Sequence, residues 1–146
     1  MARAQIPDTS VLIHVLRDPG MWPAFQQALV SGRTWLSSVV VADLYAGTRS
    51  RDDAQLLDRI VGAMGRVERV LTPTGGDWAR AGRLIARYSQ LHGGLKPRDH
   101  LADVLILVSA AHLSGVVLTA NSRHFEVWAN LAQKSGLTVG VERYSS

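Results

Sequence analysis

At 146 residues the chain has the length of one domain and can bury about two-thirds of its unfolded-chain surface without covalent staples. Cysteine is absent, which excludes a disulfide framework, a thiolate zinc site, an iron–sulfur cluster and a cysteine nucleophile, and 47% hydrophobic content with 19% charge excludes a disordered chain. The net charge is +4, yet 14 of the 16 bases are Arg and nine of the 12 acids are Asp, a residue favoured at caps, turns and metal sites.

Met1 to Gln5 runs into Pro7 and Asp8 before any useful apolar stretch, so no export signal is expected. Ala4 to Pro7 reads as a short strand ending at Asp8, and Thr9 or Ser10 can cap a helix carrying Val11, Leu12, Val15 and Leu16. Asp18-Pro19-Gly20 breaks that helix. A second helix runs from about Trp22 to Val30, Thr34 to Ser37 is a strand, and Ser38 caps a helix through Asp43 toward Gly47. Asp52 or Asp53 starts a helix with Leu56, Leu57, Ile60, Val61 and Met64 on one stripe. Val67 to Leu71 is the next strand, and the helix after Thr74 spaces Trp78, Ala81, Leu84, Ile85 and Tyr88 by three and four. After Pro97 comes the most apolar helix, about Asp99 to Leu113, then a strand Val116 to Thr119, a helix carrying Phe125, Trp128, Ala129 and Leu131, and a strand Leu137 to Val141. The longest apolar stretch, Val104 to Leu113, is shorter than the ~20 residues that span a bilayer, so a soluble, cytoplasmic protein with no membrane partner is expected.

Strands separated by helices imply a parallel sheet covered on both faces, with any ligand crevice beyond the carboxyl ends of the strands. Three acids fall there. Asp8 follows a strand, Asp43 shares a helix face with Val39, Val40, Ala46 and Gly47, and Asp103 shares one with Asp99, Ile106, Leu107 and Ala110. If the three converge within about 5 Å, each like-charged pair costs about 3 kcal/mol at an effective dielectric near 20, so a cation belongs among them or some are protonated. Without Cys, and without histidines in H-E-x-x-H or H-x-H spacing, an all-oxygen site selects a hard ion, Mg²⁺ or Mn²⁺, which lowers the pKa of a bound water and neutralises phosphate oxygens. Taken singly, Asp8 can be a helix cap, Asp99 an N-cap after Pro97, and Asp43 the partner of an Arg; Asp52, Asp53, Asp58 and Asp77 are assigned to helix starts and solvated faces.

Four motifs in order, Asp8-Thr9-Ser10-Val11-Leu12-Ile13, Val39 to Gly47, Ala102-Asp103-Val104-Leu105-Ile106 and Leu118 to Phe125, resemble the PIN-domain ribonucleases, specifically the VapC-type toxins of toxin–antitoxin modules. The likeness spans nearly the whole chain, one PIN-like domain over residues 1–146. It implies a three-layer α/β/α sandwich with a parallel five-stranded sheet, a Mg²⁺- or Mn²⁺-dependent endoribonuclease, a homodimer, and inhibition by a VapB-like antitoxin. It also implies a site of Asp8, Asp43, Asp103 and Asn121, with the three carboxylates on the metal and Asn121 orienting a metal-bound water. Two departures stand out: family members usually have Glu at Asp43, whose shorter side chain draws the carboxylate back by about 1.5 Å so that a water can bridge it to an ion, and Asn121 replaces a frequent Asp. Pro7 before Asp8 lacks an N–H and removes a ladder bond.

For RNA contact, Thr9 and Ser10 offer hydroxyls and helix N-terminal amides to a phosphate, and Arg123 and His124 can reach the backbone. His14, His92, His100 and His112 show no ligand spacing, and Trp22, Trp35, Trp78 and Trp128 are expected as core or dimer contacts rather than stacking platforms. A receiver domain lacks its acceptor Asp after the central strand and its Lys after the last, and no G-x-G-x-x-G or G-x-x-x-x-G-K-[ST] motif supports a nucleotide site. The rival is a PIN-like domain, catalytically weakened at Asp43 and Asn121, that binds RNA or an antitoxin. Setting the three carboxylates aside leaves +7 on the remainder, an Arg-dominated surface around an anionic pocket suited to RNA.

Overall fold

In β1 (Gln5–Pro7) and β4 (Val116–Thr119) apolar and β-branched residues form short runs, and Ile6 and Val117 have no exposed surface at all. Such two-sided burial is what a parallel sheet requires. The computed structural model describes residues 3–144. Between and after these strands lie α1 (Thr9–Arg17), α2 (Trp22–Val30), β2 (Leu36–Ser37), α3 (Ser38–Ala46), α4 (Arg51–Arg66), β3 (Val70–Leu71), α5 (Gly75–His92), α6 (Leu101–Ala110), α7 (Ser122–Lys134) and β5 (Gly140–Arg143). Every pairing is parallel. β1, β4 and β5 form one ladder with β4 in the middle, and β2 pairs with β3.

The two ladders meet at a single parallel bridge, Gln5 to Thr34. Gln5 N–H donates to the Arg33 carbonyl at 2.8 Å and its own carbonyl accepts from Trp35 N–H at 2.9 Å, giving the lateral order β3, β2, β1, β4, β5. Along β1 the odd residues face β2 and the even ones face β4, where Asp8 N–H donates to the Leu118 carbonyl at 2.9 Å. Pro7 is the next residue that should donate toward β2, and it has no N–H. The expected five strands are therefore present, but the ladder is interrupted at Pro7 into three plus two.

Side-chain capping sets the helix starts one or two residues from the sequence expectation. Asp8, rather than Thr9 or Ser10, caps α1 by accepting Val11 N–H; Ser37, rather than Ser38, caps α3; Ser50, rather than Asp52 or Asp53, caps α4. Asp99 is not an N-cap. Pro97–Asp99 forms a 3-10 turn, His100 occupies the cap position without a side-chain bond, and the apolar helix shortens to Leu101–Ala110 followed by a second 3-10 turn at Ala111–Leu113. The last strand begins at Gly140 rather than Leu137, because its register pairs Gly140 with Val116. Asp77 closes a capping box with Thr74 at the start of α5, as a helix-start residue should, yet it is buried and also bonded by His112 Nε2 at 2.8 Å.

Seven consecutive buried residues, Val104 to Ala110, make α6 the centre of the core, and it packs against α5, α7 and β4. α1 and α7 also contact β4, so both faces of the central strand are covered. Gly115 enters β4 where a Cβ would lie 2.7 Å from Ile6 Cδ1 and 3.1 Å from the Ala4 carbonyl oxygen. Trp128 is buried on α7, but Trp78, expected on the core stripe of α5, is 51% exposed. Among the described residues no helix is long and apolar enough to cross a membrane.

Candidate active site at the strand ends

Asp8 stands at the carboxyl end of β1 and is 7% exposed. A carboxylate so placed needs donors, and it has three: Oδ1 accepts from Ser10 Oγ at 2.5 Å and Val11 N–H at 3.2 Å, and Oδ2 accepts from Thr119 Oγ1 at 2.7 Å. Thr119 ends β4 with no exposed surface, and its hydroxyl oxygen in turn accepts Asn121 N–H at 3.0 Å. Ser10 Oγ accepts Ala120 N–H at 3.1 Å, so a closed set of bonds ties the end of β1 to the end of β4.

Asp43 projects from α3 and is exposed, although it shares a helix face with apolar residues. Its Oδ2 accepts from Thr9 Oγ1 at 3.0 Å, which links α3 to the first residue of α1; among the described residues no arginine pairs with it. Asp103, in the first turn of α6, is half-buried, and His124 Nε2 on α7 donates to its Oδ2 at 2.7 Å. Burial pushes the Asp103 carboxyl above its ordinary value, the His124 bond and charge oppose this, and the negative charges of Asp8 and Asp43 push it further up. Asp8 and Asp43 thus lie near enough for Asp103 to feel the charge of each. Among the described residues, however, no three His, Asp or Glu side chains are gathered tightly enough to grip an ion as they stand.

The hydroxyls of Thr9 and Ser10, expected to face phosphate, are engaged with Asp43 and Asp8 and act as orienters of those carboxylates. Asn121 is exposed at the cap position of α7 and makes no capping bond with its side chain. Arg123 is exposed and makes no side-chain hydrogen bond among the described residues. Sequence reasoning missed Thr119 and the role of His124 as the partner of Asp103. The motif containing both was visible, but only the register of β4 against β1 and the packing of α7 on α6 show which carboxylate each side chain meets. The His124 ring lies 5.8 Å from that of His100, which in turn lies 5.5 Å from Trp128; His100 Nδ1 is buried without a hydrogen-bond partner.

Two grooves flank Asp43. One, of about 370 Å³, lies among α1, α3 and α4 and includes Arg17, Arg49 and Asp53; the other, of about 430 Å³, opens past the carboxyl ends of β2 and β3 and includes Ser38, Thr72, Trp78 and Arg98. Among the described residues the ion pairs are His112 with Asp77 and His124 with Asp103, so no arginine there is committed to a carboxylate. All the described arginines except Arg69 are exposed.

Fold and site together define a parallel α/β protein whose acidic side chains collect where the strands end. The chain belongs to the PIN domain family, whose model matches residues 6–130. In fold it is similar to a chain of DNA-bound VapBC from Salmonella typhimurium, at 19% identity and a TM-score of 0.66 over 99% of this chain and 100% of that one. It is also similar to a chain of FitAB bound to the IR36 DNA fragment (20%, 0.66, 95% and 94%) and to one of VapBC-1 from nontypeable Haemophilus influenzae (15%, 0.63, 96% and 97%). No curated protein matches it.

Proposed function

We propose that this chain is a VapC-type toxin, a Mg²⁺- or Mn²⁺-dependent endoribonuclease that works as a cytoplasmic homodimer and is held inactive by a VapB-like antitoxin. PIN domains are generally nucleases that use divalent metal ions, and the structural neighbours come from VapBC and FitAB complexes. The observation that carries the reading is geometric: Asp8 is fixed by three donors at the carboxyl end of β1, and Asp43 and Asp103 project from α3 and α6 close by, Asp43 tied to Thr9 and Asp103 to His124.

The donor set suits a hard cation, because it is all carboxylate oxygen with no sulfur, and its mutual repulsion is what a divalent charge would relieve. Asp8, Asp103 and Asp43 would hold the ion, and Asn121 would orient water beside it. A divalent ion bound there supplies an acidified water and charge neutralisation for phosphodiester hydrolysis. The chain's own contribution is orientation. Ser10, Val11 and Thr119 fix the Asp8 carboxylate, Thr9 steadies Asp43, and His124 holds one oxygen of Asp103. Unpaired arginines would attract the polyanion by counterion release, and Arg123 would contact its backbone.

The rival reading, a weakened PIN-like domain that binds RNA or antitoxin without cutting, draws on the exposed, short Asp43 and the uncharged Asn121. Incubating the purified protein with RNA separates the two. Fragments that appear with Mg²⁺ or Mn²⁺ and vanish with chelator support the nuclease; RNA retained intact under every metal condition supports the rival. Co-expression with the neighbouring open reading frame tests the antitoxin, and recovery of free protein alone counts against it.

A further inference from the structure

Cations gather on one face of α5. Arg80, Arg83 and Arg87, spaced i, i+3 and i+7, fall within about 60° of one another around the helix axis and spread over about 10 Å along it, and all three are exposed. Among the described residues none of them makes an ion pair. The one acid of α5, Asp77, is buried and bonded by Thr74 N–H and His112, so it does not offset them. Arg80 with Arg83 and Arg83 with Arg87 are like-charged neighbours, which destabilise a helix taken alone. A polyanion laid along the face would relieve that repulsion.

The face leads toward the candidate site. Tyr88, next to Arg87, has its ring 5.0 Å from that of Trp128; Trp128 lies 5.5 Å from His100, His100 lies 5.8 Å from His124, and His124 holds Asp103. The connection from α5 to α6 adds Lys96 and Arg98, both exposed, against the single acid Asp99. Cations thus continue from α5 through this connection to the first turn of α6, which carries Asp103.

We propose that the Arg80, Arg83 and Arg87 face docks the phosphate backbone of RNA, holding the strand beyond the segment being cut. The inference rests on the ribonuclease reading for the identity of the polymer and deepens it, since it makes long strands bind better than short ones. An unbroken run of negative charge is what a phosphate backbone offers, and guanidinium forks meet phosphate oxygens two at a time. Every exposed acid of the described chain other than Asp43 has an arginine within three residues of it, as Asp52 has Arg51 and Glu126 has Arg123. A second copy therefore offers no stretch of negative charge unmixed with positive, and the proposed homodimer forms through other faces.

The test is binding of a labelled oligouridylate of about 20 nucleotides in chelator, read by fluorescence anisotropy across a salt series, which separates charge contacts from metal chemistry. Arg80→Gln, Arg83→Gln and Arg87→Gln combined keep good helix formers on the face. They should lower the slope of log K against log[salt] by about 2, at ~0.7 per phosphate contact on a single strand, and weaken binding at ~100 mM salt at least tenfold. Lys at the same three positions should keep the slope within about 0.5 of the wild type, and so should Arg51→Gln, Arg59→Gln and Arg66→Gln combined, which remove equal charge from α4. An unchanged slope in the α5 Gln variant overturns the proposal. So does an equal fall in the α4 variant, which would spread the attraction over the whole surface. A shift from dimer to monomer in the α5 variant with RNA binding intact overturns it in favour of an interface between copies, and loss of a co-expressed antitoxin with RNA binding intact does so in favour of an acidic protein segment. Binding that depends on the three arginines in a protein that never cleaves would leave the surface standing and remove the nuclease; cleavage indifferent to them at subsaturating RNA would do the reverse.

Discussion

The Thr119 hydroxyl donates to Asp8 Oδ2 at 2.7 Å, joining the last residue of β4 to the residue that follows β1. Both side chains are buried, so water cannot replace the bond. Thr119→Val keeps the shape and removes the donor. It should cost about 1–3 kcal/mol of stability, the range for leaving a buried acceptor unpaired, and urea unfolding monitored by circular dichroism measures it. Because the same substitution frees Asp8 to turn, RNA cleavage should fall more than unfolding of the protein can account for.

Stability should depend on pH through Asp103. Its folded carboxyl titrates above the ordinary value of 3.8, owing first to burial and then to Asp8 and Asp43, so between 3.8 and the raised value the folded state binds more protons than the unfolded state. Stability is therefore lost as pH rises through that window. Asp103→Asn should flatten this part of the Tm-against-pH profile and raise the melting temperature at neutral pH. A wild-type profile that climbs through the window, or a variant that melts lower at neutral pH, would contradict the assignment.

Among the described glycines, Gly115 leaves the least room for a Cβ. Gly115→Ala places a Cβ 2.7 Å from Ile6 Cδ1 on β1 and close to the carbonyl of Ala4 just before that strand. Overpacking of this kind costs about 1–3 kcal/mol. Denaturant midpoints of the variant and the wild type measure the loss directly.

Asp43 is exposed and held by Thr9, with room around it on two sides. Asp43→Glu, the residue the family usually carries here, extends the carboxylate by about 1.5 Å. Isothermal titration with Mn²⁺ should show affinity equal to or tighter than that of the wild type, whereas Asp43→Asn should weaken it by tenfold or more. Unchanged affinity in Asp43→Asn would remove this residue from the metal set.

The elements were legible because their signals are local. Apolar spacing, glycines and prolines place all seven helices and all five strands within a few residues, and Asp8, Asp43 and Asp103 stood out as acids beside strand ends or on apolar faces. Cap positions were less legible, since Ser37 and Ser38, or Asp8, Thr9 and Ser10, offer equivalent chemistry and only the backbone angles choose between them. The partnership of His124 with Asp103 and of Thr119 with Asp8 depends on how α7 sits on α6 and on the parallel register of β4 with β1, with residues 21 and 111 positions apart. Trp78 departs from the core part of its reading for a related reason: its spacing fits the core stripe, but in the first turn of α5 it stays 51% exposed.

The central claim is that Asp8 and Asp103 hold a divalent ion that cuts RNA. The direct measurement is cleavage of a labelled RNA by wild type, Asp8→Asn and Asp103→Asn at saturating Mn²⁺, with circular dichroism confirming that each variant is folded. The account predicts fragments from the wild type that depend on the metal and a loss of at least 100-fold in each variant. Full activity in both variants, or cleavage that persists in chelator, would contradict it.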